Sequence, residues 1–204
     1  MSGRPAVSRR EALVLGGLLA AAGGGLILSR LAAPRWRELP PSPVLDRARS
    51  HPGPEAGNAG GDLALILFTD FNCSACRASH QPMMAAVGSD GGVLLRVHDW
   101  PVFGDDSRAA ARTAEAALQA AGGDLAALRR TLAEDGPLID GQLARTAFHA
   151  FSLGLRGTPS HLIGRLLLEG AASERDFHRA FAAARSAGDG AAPGPDRGGP
   201  GFAA

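Results

Sequence analysis

With 204 residues, 21 of them basic and 20 acidic, the chain carries a net charge of +1 and so has no global field to recruit nucleic acid or anionic surfaces. Aromatic residues make up 5% and tyrosine is absent, which argues against a stacking platform for single-stranded nucleic acid. Two cysteines are too few for a disulfide scaffold, whereas 45% apolar residues suffice for one domain core.

Residues 1–33 open with Arg9-Arg10, continue as an uncharged run from Ala12 to Leu28, and close on Arg30. That layout is an export signal or a membrane anchor, so these residues are set apart from the fold. The run is near the shortest that crosses a bilayer, roughly 17–25 residues. Ser8-Arg9-Arg10 before a mildly apolar stretch resembles a twin-arginine signal. No clean small-x-small cleavage site ends the run, so an inner-membrane anchor formed by residues 12–28 is a second reading. Either way the body of the protein is expected in the periplasm or an equivalent extracytoplasmic space.

Residues 34–61 are rich in proline and glycine and read as a flexible linker, with at most a helical turn at Val44–Arg49. The tail, residues 188–204, holds too little apolar surface to order. Residues 62–187 remain as the folded unit.

Within that unit Leu63–Phe68 is a continuous apolar run, as expected of a strand buried on both faces. Ser74–Val87 suits a helix that Pro82 should kink or break. Val93–His98 is a second strand, which makes a parallel crossover unit. Helices are expected from Ser107, as N-cap, to about Ala121 and over Asp124–Ala133, with Arg129 and Arg130 on a wet face. A third has Leu143, Ala147, Ala150 or Phe151, and Gly154 on its packed face. Ser160–Gly164 and Arg165–Glu169 form two short strands turned at Gly164. Ser173 and Asp176 open a last helix with a capping-box pattern, burying Phe177, Ala180, Phe181 and Ala184. The fold class is α/β: βαβ, a helical insertion at about residues 105–155, then ββα around a mixed sheet.

Both cysteines fall in FTDFNCSACRASHQPM, residues 68–83. Cys73 sits between the first strand and the first helix, where unpaired N–H groups and the helix dipole favour an anion, and thiolate is the reactive form. Cys76 lies one turn deeper on the same side. A ring this small adds little chain-entropy stabilisation, which disfavours a structural staple. A metal site using Cys73, Cys76 and a histidine (His80, His98 or His161) is the alternative, although a second CxxC to complete a zinc set is missing. A redox pair is the favoured reading.

Three blocks, in this order, resemble the DsbA-like thiol–disulfide oxidoreductases of the thioredoxin superfamily: Phe68-x-Asp70-x-x-Cys73-x-x-Cys76, then Trp100-Pro101-Val102-Phe103-Gly104 with Ser107-x-Ala109-Ala110, then Leu155-Arg156-Gly157-Thr158-Pro159-Ser160. The resemblance implies a thioredoxin-like fold in which Cys73 attacks substrate from an exposed position and Cys76 resolves the mixed disulfide. Pro159 is then a cis-proline facing the pair, and Thr158, Ser74 and Ala75 contact an extended substrate. It also implies cysteine-containing exported proteins as substrates and a membrane or soluble redox partner. No cofactor, resident metal or nucleic acid is implied. The Ser74-Ala75 dipeptide lacks the imidazole found in the strongest oxidants, and the insertion is shorter than the family's. Asp70 reads as a solvated loop carboxylate, with modulation of the cysteines from the strand end as the second reading, and Trp100 as core or groove wall. His149 and His178 read as amphipathic-face residues, and His161 as a neighbour able to modulate the cysteines.

Overall fold

The computed structural model describes residues 35–119 and 131–189. The export segment 1–33, the tail beyond Asp189, and most of the helix expected at Asp124–Ala133, with Arg129 and Arg130, lie outside the described residues. In chain order the elements are β1 (Trp36–Glu38), α1 (Pro43–Ser50), β2 (Glu55–Gly57), β3 (Leu63–Thr69), α2 (Ser74–Asp90), β4 (Val93–Asp99), α3 (Asp105–Gln119), α4 (Gly136–Ser152), β5 (Ser160–Ile163), β6 (Leu166–Glu169) and α5 (Glu174–Ser186). One mixed sheet runs β1-β6-β5-β3-β4-β2, in which only β3 and β4 pair in parallel.

Because β3 is central, its side chains alternate into two separate cores. Leu63, Leu65 and Leu67 face α2 and α5, where Met83, Ala86, Val87, Phe177, Ala180, Phe181 and Ala184 close the layer. Ala64, Ile66 and Phe68 face the opposite way, toward Leu45 and Ala48 of α1, Ala150 of α4, and Trp100. A third, smaller cluster joins α3 to α4 through Ala111, Ala116, Ile139 and Leu143. The capping box at Ser173 and Asp176 is present, and the four expected apolar positions of α5 are fully buried.

The linker reading of residues 34–61 is corrected by the structure. β1 pairs with β6 through Trp36–Leu168, and β2 pairs with β4, so both edges of the sheet come from this stretch. Ser42 caps α1 by accepting from the Leu45 N–H at 3.2 Å, and Pro43 occupies the first turn, where a missing N–H costs nothing. The prolines are helix-start and turn residues here, while Leu39, Leu45 and Ala48 are buried. Pro82 does not break its helix either. α2 runs unbroken from Ser74 to Asp90, since the one lost backbone bond is offset by burial of Met83, Ala86 and Val87. It ends on Gly91, whose φ of 73° lets its N–H reach the Val87 carbonyl. Ser107 is not an N-cap, because α3 already begins at Asp105. On α4, Leu143 and Ala150 face inward, but Phe151 is 71% exposed.

On the α1/α4 side three imidazoles pack together. The His51 ring lies 5.0 Å from His98 and 5.1 Å from His149, and His98 stacks on Phe68. His149 is therefore buried rather than a surface residue of α4, while His178 stays partly exposed beside Glu174 and Ser89. Burial, then the neighbouring charges, holds His98 at about 3 and His51 at about 4, and burial holds His161 at about 4.

Two predictions follow from this packing. Leu45→Ala removes a side chain sealed between α1 and the sheet, and is expected to cost about 2–4 kcal/mol in urea unfolding; a tethering role would leave stability unchanged. The buried histidines titrate near 6.5 when unfolded and near 3–4 when folded, so the unfolded chain binds more protons between those values. Stability should therefore fall as pH drops from about 6.5 toward 4, and denaturant titrations of His98→Phe should show a shallower acid limb.

Candidate active site

β3 ends at Thr69, and the Asp70 carbonyl accepts the Cys73 N–H at 3.2 Å, so a single turn carries the chain from strand to helix. Cys73 is the N-cap of α2. Its Sγ accepts the Cys76 N–H at 3.1 Å, and its S–H donates to the Thr158 carbonyl at 3.3 Å. The peptide bond between Thr158 and Pro159 is cis. Cys73, Cys76, Thr158 and Pro159, which are 86 positions apart at their extremes in sequence, thus meet at one point. Ser74 is exposed and Ala75 half-buried on the first turn of α2.

The exposed sulfur expected at Cys73 is not found. The residue is 2% exposed, because its side chain turns inward beneath Thr158 rather than outward with Phe71 and Ser74. Both cysteines are free thiols. Burial, together with a hydrogen bond to Cys73, pushes the Cys76 thiol above its ordinary value, against the opposing influence of the Asp70 backbone and the Thr158 and Thr69 hydroxyls. Thr158 Oγ1 is itself buried beside Cys76. The Thr158 N–H has no hydrogen-bond partner among the described residues.

Asp70 overturns its sequence reading most clearly. It is 3% exposed, and its carboxylate accepts from the Asn72 N–H at 2.7 Å, the Ser107 hydroxyl at 2.8 Å, and the N–H groups of Val102 and Phe103 at 2.7 and 3.3 Å. Asn72 Nδ2 donates to Ser107 Oγ at 3.0 Å and closes the network. Asp70 thereby ties the turn that holds Cys73 to the loop between β4 and α3. The sequence signal was the Asp-x-Asn spacing at a strand end, which suits an Asx-turn. Nearby Asp99 is raised to about 7 by burial, then by the charges of Glu115 and Asp70.

The histidines do not join the cysteines. His80 is exposed on α2. His161 is wholly buried, with Nδ1 donating to the Leu168 carbonyl at 3.1 Å and Nε2 facing the Ser79 hydroxyl at 3.5 Å. His98 lies on the other face of the sheet, against Phe68. Among the described residues no group of three or more His, Cys, Asp or Glu side chains is arranged to hold a metal ion. Trp100 is buried and meets Phe151 edge-on at 5.5 Å.

No family profile and no curated protein matches the sequence. Solved structures do match. A thioredoxin-like oxidoreductase from Silicibacter pomeroyi DSS-3 is 27% identical over 69% of this chain and 97% of that one, with a TM-score of 0.64. The thiol–disulfide exchange protein alpha-DsbA2 from Wolbachia pipientis is 19% identical over 68% and 90%, with a TM-score of 0.63. The catalytic domain of Proteus mirabilis ScsC is 18% identical over 68% and 93%, with a TM-score of 0.56. The fold is thioredoxin-like, as the three sequence blocks implied.

Removing the Asp70 carboxylate leaves several buried donors unpaired, so Asp70→Ala is expected to lower stability by about 3 kcal/mol. Amide exchange at Val102 and Phe103 should accelerate in the same variant. Protection equal to that of the parent would show that the loop is held by something else.

Proposed function

We propose that this thioredoxin-like protein-disulfide oxidoreductase works outside the cytoplasm, exchanging a Cys73–Cys76 disulfide with the cysteines of exported proteins. The observation that carries the reading is the 3.3 Å contact between Cys73 Sγ and the carbonyl of Thr158, the residue before cis-Pro159. It brings the N-cap sulfur to the backbone edge along which an extended peptide can lie.

In the oxidising direction a substrate thiolate attacks Cys73 Sγ of the bridged pair. The Cys73–Cys76 bond breaks, Cys76 leaves with the electron pair and takes a proton, and a mixed disulfide forms at Cys73. A second substrate thiolate then attacks its own bridged sulfur and releases the Cys73 thiolate. Two electrons have passed from the substrate dithiol to the pair. In the reducing direction the same steps run backward, with the Cys73 thiolate opening a substrate bridge and Cys76 closing on Cys73. The relative stability of dithiol and disulfide sets the direction. Burial of Cys76 favours its neutral thiol, which suits a resolving group that does not itself meet the substrate. Thr158 supplies its N–H to the substrate backbone. Ser74 and Ala75 border the approach on the helix side, and Pro159 fixes the carbonyl of Thr158 toward the sulfur.

The extracytoplasmic assignment is supported by the Arg-flanked apolar run at residues 12–28. A matching structure from Salmonella enterica serovar Typhimurium is itself a periplasmic thioredoxin-like protein. The same run is the proposed contact with the membrane, as signal or anchor, and a membrane or soluble protein thiol is the proposed source or sink of electrons.

Cys73→Ser is expected to reduce disulfide exchange with a model dithiol peptide to the uncatalysed rate, whereas Cys76→Ser should accumulate a mixed disulfide visible by mass spectrometry. Undiminished turnover in Cys73→Ser would remove the proposal. Full-length protein recovered only in the cytoplasmic fraction would remove the assigned location.

A further inference from the structure

A cavity of about 810 Å³ opens beside Thr158, on the side of the helical insertion. Its volume is near the top of the roughly 300–1,000 Å³ usual for ligand pockets, enough for one or two bulky side chains. Leu155, Gly157 and Thr158 border it on one side and Val102 and Phe103 on the other, and the Thr158 carbonyl touches Cys73 Sγ at 3.3 Å, so the cavity adjoins the redox pair.

The lining has two chemical parts. Trp100, Phe103, Phe151 and Leu155 make an apolar floor and rim. Phe103 is 58% and Phe151 71% exposed, an arrangement that leaves large aromatic surface in water beside a reactive centre. Asp70 holds the backbone of Phe103 through its N–H, and the Phe151 ring meets Trp100 edge-on at 5.5 Å. Such pre-set aromatic surface is suited to an apolar anchor residue.

The second part is cationic. Arg108, Arg112 and Arg156 line the cavity, with Asp140 as the acidic member. Arg112 is 3.2 Å from Asp140, and Arg156 pairs with Glu169 at 2.8 Å outside the cavity. Arg108 makes no ion pair among the described residues. The contact to Asp140 runs from Arg112 Nε, so the Arg112 charge is shared with that carboxylate. The balance of charge facing the cavity is positive, although the chain as a whole carries only +1.

We propose that this cavity selects extended segments of partner proteins in which a bulky apolar residue and an acidic residue adjoin the reacting cysteine. The proposal rests on the redox function assigned above and names its substrate class. The apolar side chain fills the space between Phe103 and Phe151, and the carboxylate meets Arg108 and the shared charge of Arg112. A basic residue in the same place faces a wall that repels it.

The test uses the full chain and three cysteine peptides of equal length, carrying Phe-Glu, Phe-Lys or Gly-Glu beside the cysteine. Each exchange rate is divided by that of the same protein with glutathione. Phe-Glu should react about five- to tenfold faster than Phe-Lys at low ionic strength. The ratio should collapse near 1 M salt, where the screening length is about 3 Å. Arg108→Glu should abolish or invert the charge preference, and Phe103→Ser should erase the difference between Phe-Glu and Gly-Glu. Equal rates for Phe-Glu and Phe-Lys with the parent protein, or a preference unchanged in Arg108→Glu, would overturn the proposal while leaving the redox function intact. Absence of glutathione exchange in the parent would overturn both.

Discussion

A carboxylate taken out of water must be given donors, and Asp70 takes all of its donors from the two segments that border the cysteines. One donor, the Asn72 N–H, belongs to the turn that delivers Cys73 to the start of α2. The others, from Val102, Phe103 and Ser107, belong to the loop and first turn of α3. An apolar residue at position 70 could pack, but it could not hold two backbone segments in register. The position of Cys73 relative to the loop between β4 and α3 is therefore fixed by one buried side chain.

The two cysteines differ in environment although three positions apart on one helix. Cys73 caps the helix and touches the Thr158 carbonyl, and Cys76 sits a turn deeper, where burial disfavours its anion. The asymmetry suits the proposed roles, in which Cys73 meets the partner and Cys76 closes the cycle. Low exposure of Cys73 places its sulfur beneath Thr158 rather than at the open surface.

Around this centre the sheet provides a stiff platform. β3 carries the cysteine turn at its end and is paired on both sides, to β4 and β5, so the turn and the cis-proline loop are anchored to adjacent strands. The helical insertion packs its own small cluster against α4 and presents Phe151 and the arginines toward the same end. The sulfurs and the cavity thus belong to different layers: the sheet and α2 hold the sulfurs, and the insertion lines the cavity beside them.

Much of this was legible in the order of residues. The uniform apolar run at Leu63–Phe68 identified the central strand, because a strand buried on both faces needs no alternation. The spacing of Phe177, Ala180, Phe181 and Ala184 identified α5 and its buried stripe, since helical geometry repeats locally. The cysteine pair, Pro159 and Thr158 were identifiable as types with a chemistry. Residues 36–57 were misread as linker, because proline and glycine report local chain freedom, and three-residue edge strands gain order only from partners such as Leu168 and Leu95. Asp70, the imidazole cluster of His51, His98 and His149, and the exposure of Phe151 were likewise beyond sequence reasoning. Burial and partnership are properties of segments that lie far apart in the chain, so local sequence determined the long elements such as β3 and α5, and tertiary packing decided the edge strands and which polar groups went inside.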